Sequence, residues 1–85
     1  MAERTADEVA AVFAAAGDSV TVINGNKATG QTDADWKGDL QRNVDHLEII
    51  KAYKKEDGTT SIWTSENFTA IDAAVTSGKS KIAAL

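Results

Sequence analysis

Apolar residues recur along this chain at helical spacing in three stretches, separated by polar segments that contain glycine. In the first stretch Val9, Val12, Phe13 and Ala16 fall on one face, and Thr5 followed by Glu8 has the form of a capping box ahead of them. This predicts a helix from about Thr5 to Ala16. Gly17-Asp18 interrupts the pattern. Beyond it Val20 and Ile23 continue the same helical face, yet Val20-Thr21-Val22-Ile23 is also a β-branched run, and that composition tips the reading toward a short strand.

From Asn24 to Thr32 the residues are those of a loop. Thr32 then opens the strongest element. Trp36, Leu40, Val44, Leu47, Ile50 and Tyr53 form one stripe, as a helix packed on one side requires. Acids crowd its first turns (Asp33, Asp35, Asp39) and lysines follow its end (Lys51, Lys54, Lys55), which suits both poles of a helix dipole. Asp57-Gly58 is expected to stop this helix, since glycine tolerates the left-handed conformation that a helix stop uses. Thr59 to Trp63 is β-prone and could pair with Val20 to Ile23 as a minimal ribbon, stable only if packed on the helices. Thr64 or Ser65 caps a third helix carrying Phe68, Ile71 and Val75, and Gly78 either ends that helix or is tolerated before Ile82 and Leu85. The fold class expected is mainly α, a three-helix domain with room for a two-stranded β ribbon, which would make it α+β.

Composition narrows the partners. A chain of 85 residues encloses one thin core, so residues 1–85 are a single domain. A net charge of −4 argues against a phosphate backbone or an acidic membrane surface as partner. The absence of cysteine removes disulfides, thiol catalysis and thiolate metal sites. The polar, acid-bearing stretch from Met1 to Glu8 has no apolar run of the kind a signal peptide or a membrane span needs, so a cytosolic or particle-bound protein is expected.

Three stretches invite a chemical reading. Gly25-Asn26-Lys27-Ala28-Thr29-Gly30-Gln31-Thr32 matches a phosphate-binding loop at both glycines and at the hydroxyl, but Gln31 stands where that loop has its lysine, and a neutral amide does not replace that charge. A polar connection is the better reading. Ser77-Gly78-Lys79-Ser80 echoes the motif at the wrong end of a helix for its amides to meet an anion. His46, the single histidine, shares a face with Asp39 and Arg42, which reads as a solvated charge network, because a metal site would want further ligands there. No serine or threonine has an evident base partner, and Asn67-Phe68-Thr69 is a chance glycosylation sequon with Phe68 on the core face. Neither a catalytic site, a cofactor nor a metal is expected.

What remains is surface. Trp36 and Trp63 are each either a lid on the core or an anchor at a protein interface, where tryptophan is enriched. With the terminal Ile82 and Leu85 they make up the expected partner-binding residues. The alanines of the first helix (Ala10, Ala11, Ala14, Ala15, Ala16) would let a partner helix approach closely, although helix propensity alone accounts for them.

The stretch Asn43-Val44-Asp45-His46-Leu47-Glu48-Ile49-Ile50, followed by a tryptophan and by Phe68-Thr69-Ala70-Ile71-Asp72-Ala73-Ala74-Val75-Thr76-Ser77-Gly78-Lys79, resembles small uncharacterised proteins of tailed bacteriophages and prophages. The likeness covers roughly the last 45 residues of the chain. Its second part is also similar to small head-tail joining proteins of phages, which continue past the glycine into a β-hairpin where this chain has Lys79 to Leu85. The resemblance implies a virion-associated or accessory protein, in the virion or the cytoplasm of the infected bacterium, with no chemistry of its own. The function expected is thus non-enzymatic: a minor virion or assembly component, or a homo-oligomer, acting through contacts with itself or with other phage or host proteins. The alternative is a soluble acidic modulator that binds and inhibits a host protein.

Overall fold

The computed structural model describes residues 6–85 apart from Glu56. Three helices follow one another, α1 (Ala6–Asn24), α2 (Asp33–Ile50) and α3 (Ser65–Ala83). They pack up, down and up. Ser19 of α1 meets His46 of α2, Lys51 just past α2 reaches Asp72, and Gly78 lies against both Val44 and Ile23, so α1 and α3 run parallel with α2 antiparallel to each. The bundle measures 45 × 20 × 19 Å.

The mainly α, three-helix expectation holds, and α2 shows why. Thr32 caps it by accepting the Asp35 N–H, Asp33 and Asp35 occupy its first turn, and Trp36, Leu40, Val44, Leu47 and Ile50 are all buried. Of the four largest side chains with no exposure, Leu40, Val44 and Leu47 come from α2 and Ile23 from α1.

The ends and the linkers correct the sequence reading. Val20 to Ile23 are helical, not extended, and α1 runs through Gly17 to Asn24. The reason is burial: only a continued helix puts Ile23 one turn beyond Ser19 and two beyond Ala16, on the face that packs against α2 and α3. The expected cap at Thr5 lies outside the described residues. At its other end, α2 stops at Ile50, not near Asp57, so Tyr53 and the lysines 51, 54 and 55 lie beyond its last turn. The Ile50 carbonyl accepts both the Tyr53 N–H and the indole N–H of Trp63, which turns the chain out of the helix.

No ribbon pairs Thr59–Trp63 with Val20–Ile23 among the described residues. Lys54 bridges Ser61 instead, and the chain folds back over a tight turn in which the Asp57 carboxylate accepts the N–H groups of Thr59 and Thr60. Gly58, with φ of 73°, supplies the left-handed residue of that turn. Thr64 is the cap of α3, in a capping box with Asn67. Gly78 is neither a stop nor merely tolerated: a Cβ there would fall on Val44 Cγ2, so glycine is what lets α3 approach α2.

Candidate functional site

The polar groups that resembled catalytic parts hold the bundle together. Across the loop before α2, the tight turn at Ala28–Gln31 is closed by the Gln31 N–H on the Ala28 carbonyl. The Gln31 side chain accepts the Ala28 N–H and donates to Asp39, and Lys27 pairs with Asp33. These bonds engage the side chains that a phosphate would need. Ser77 to Ser80 lie inside α3, with Gly78 buried.

His46 does not join Asp39 and Arg42, which pair with each other. Its Nδ1 lies 2.8 Å from the Ser19 hydroxyl. A serine beside a histidine has the atoms of a nucleophile and its base. Ser19, however, is 4% exposed, closed between α1 and α2, so a substrate carbonyl has no path to its oxygen. The bond stitches α1 to α2. Among the described residues no group of three or more His, Cys, Asp or Glu side chains could hold a metal ion, and no buried side-chain polar atom lacks a partner. Nor is any helix long and apolar enough to cross a membrane.

The expected partner-binding residues do not form one patch. Trp36 and Trp63 are both buried in the core. They sit near opposite ends of α2, since Trp63 bonds Ile50, and fourteen residues of helix put about 21 Å between Trp36 and Ile50. Ile82 is partly buried against the core, and Leu85 is 48% exposed at the end of α3.

A concave surface does exist, along the seam between α1 and α3. Phe13, Ala16, Gly17 and Val20 form one wall; Asn67, Ala70 and Ile71 form the other; Trp63 closes one end. The volume is about 250 Å³, and the lining is mostly apolar. Each wall has a local cause. Trp63 is fixed by its indole N–H on the Ile50 carbonyl at 2.8 Å, and Phe13 leans on it with ring centroids 5.0 Å apart and planes tilted by 43°. Asn67 is held by the capping box, and Gly17 is exposed, with no side chain or neighbouring helix within 4 Å of where a Cβ would stand.

Charge is divided unevenly around this seam. Residues 6–24 and 65–78 contain Asp7, Glu8, Asp18, Glu66 and Asp72 and no lysine, arginine or histidine. Asp72 pairs with Lys51, whereas Asp18 and Glu66 are exposed and have no ion-pair partner among the described residues. Phe13 sits on the apolar stripe of the first helix yet is exposed, and Gly17 lies inside α1 instead of ending it. Extending the helical register past Gly17 would have placed Phe13, Gly17 and Val20 side by side.

No family model, curated protein or solved structure matches the chain. The site therefore rests on its own geometry.

Proposed function

We propose that the protein is a non-enzymatic, phage-encoded component that acts through contacts with other proteins, as a minor part of a virion or of its assembly, with α1 and the seam beside it as the contact surface. One observation carries this reading. Twelve of the 19 residues of α1 are apolar, against seven of 18 in α2, yet among the described residues α1 supplies two buried apolar residues, Ala16 and Ile23, and α2 supplies five. Val9, Val12 and Val20 are only partly covered, while Phe13 and Val22 are exposed. A helix of that composition gains from being covered by a partner. The phage-like stretches of the second half support the viral setting, in the virion or the infected cell, and the enclosure of Ser19 supports a role without chemistry.

Asp18 and Glu66, exposed and without an ion-pair partner among the described residues, favour a second reading, the acidic modulator that binds a basic surface of a host protein. Light scattering of the purified protein over a wide concentration range, together with gel filtration of host extract containing it, tests both. A stable oligomer of the purified chain supports the assembly component, and a purified monomer that runs in a larger complex in extract supports the modulator. A chain of monomer mass in both overturns the protein-contact reading.

A further inference from the structure

We propose that Asn24 is a site of slow, spontaneous deamidation, held in check by the Lys81 ammonium until the last turn of α1 opens. Asn24 is the final residue of α1; it is exposed, and its side chain makes no hydrogen bond among the described residues. Gly25 follows it. An asparagine before glycine is especially prone to lose its amide, because the next backbone nitrogen meets no side chain on its way to the amide carbon. The other asparagines are less favourably placed. Asn26, Asn43 and Asn67 precede Lys27, Val44 and Phe68, and the side chains of Asn43 and Asn67 are also held, one by the Asp39 carbonyl and the other by Thr64.

The step needs only water. The Gly25 nitrogen attacks Asn24 Cγ and bonds to it; the bond from Cγ to the side-chain nitrogen breaks, and that nitrogen leaves as ammonia with the proton that Gly25 gives up. Water then opens the cyclic imide at either carbonyl, which leaves an aspartyl or an isoaspartyl residue. In the closed turn the nitrogen is engaged: the Gly25 N–H donates to the Val22 carbonyl at 3.1 Å. Lys81 Nζ, from α3, donates to the Ile23 and Gly25 carbonyls at 2.6 and 2.9 Å, one on each side of the Asn24-Gly25 peptide. These three bonds hold the backbone around Asn24 in its helical turn, so the ring closes only when that turn opens.

The product weakens its own restraint. A carboxylate there faces the negative pole of α1, and the isoaspartyl form adds a methylene to the backbone between the two carbonyls that Lys81 spans. The end of α1 is then released from α3. Asp57-Gly58 is closed to the parallel reaction, although it has the same glycine. The bonds from Thr59 and Thr60 keep the Asp57 carboxylate ionised, a poor target for a nitrogen, and the Gly58 N–H is taken by the Lys55 carbonyl at 2.9 Å.

The test incubates the whole chain in mildly alkaline buffer, folded and in denaturing urea, and follows the asparagines and Asp57 by peptide mass spectrometry, with electron-based fragmentation to separate aspartyl from isoaspartyl products. Asn24 is expected to lose its amide ahead of Asn26, Asn43 and Asn67, and about tenfold more slowly in the folded chain than in urea. Lys81→Met, which keeps the stem and removes the ammonium, should abolish most of that protection. A Cβ at position 25 would stand 3.4 Å from the Thr21 and Val22 carbonyl oxygens, a close but tolerable fit, so Gly25→Ala serves as the control that slows ring closure. Circular dichroism establishes that each variant is folded. Should Lys81→Met unfold, the parent chain decides: on warming, its rate of amide loss must follow the exchange rate of the Gly25 N–H. Equal rates in the folded chain and in urea, undiminished protection in folded Lys81→Met, or amide loss that ignores Gly25 exchange overturns the restraint by the last turn. An Asn24 that stays intact in folded Lys81→Met, or is lost no faster than the other asparagines, overturns the site.

Discussion

Trp63 donates its indole N–H to the Ile50 carbonyl, one of the acceptors that the end of α2 leaves without a helical partner, while its ring supports Phe13. Trp63→Phe keeps most of the ring and removes the donor; the Ile50 carbonyl keeps the Tyr53 N–H, so the loss in urea unfolding is expected to be about 1 kcal/mol, the net worth of one hydrogen bond. Asp57 works in the adjoining turn by a different route. The Thr60 hydroxyl, with the backbone N–H groups of Thr60 and Thr59, holds its carboxyl well below the usual carboxylate range. A lowered pKa in the folded chain means that the turn is favoured above the unfolded value of about 3.9 and that this preference is lost as pH falls through the folded value. The Thr60 amide signal should therefore hold its position through mildly acidic pH and move only in strong acid, and in Asp57→Ala this transition should vanish. Neither role was legible beforehand. Trp63 offered two readings that only the position of Ile50 could separate, and the Asp57-Gly58 pair looked the same whether it ended a helix or turned a hairpin.

At the scale of the helices, α2 was readable because its stripe, its cap and its acidic first turn all agree. The second half of α1 was not, because it starts at a glycine and its end is β-branched, and both local signals oppose the helix that burial of Ile23 imposes. The groove was hidden for the same reason. With α1 cut at Ala16, no register places Gly17 and Val20 beside Ala70. The two helical glycines then differ in what surrounds them. Gly78→Ala should lower stability by about 1 to 2 kcal/mol, the overpacking cost against Val44 less the gain in helix propensity. Gly17→Ala has nothing to collide with and should raise stability by up to about 1 kcal/mol. Urea denaturation of the two variants beside the parent chain checks both signs, and a destabilised Gly17→Ala would show that a side chain there does meet a neighbour.

Across the whole molecule, attachment is graded. The core is held chiefly by α2, with five buried apolar residues, whereas α1 is joined through Ala16, Ile23, the Ser19–His46 bond and the Lys81 ammonium, which caps the Ile23 and Gly25 carbonyls at 2.6 and 2.9 Å. Native-state hydrogen exchange should rank the helices accordingly, with the amides of α2 slowest and those in the first half of α1 fastest. Equal protection of α1 and α2 would show instead that the bundle opens only as one unit.

The parallel course of α1 and α3 also bears on the order of events in time. Helix hairpins α1–α2 and α2–α3 close over short connections, but the α1–α3 seam joins positions as far apart as Ile23 and Lys81, 58 residues along the chain. Local contacts form first because their loops cost less entropy to close. The seam is then the last surface to zip and the first to part. Release of α1 from an intact α2–α3 pair would widen the groove without unfolding the protein, so a partner's arrival rate would follow the frequency of that opening, not the frequency of collision.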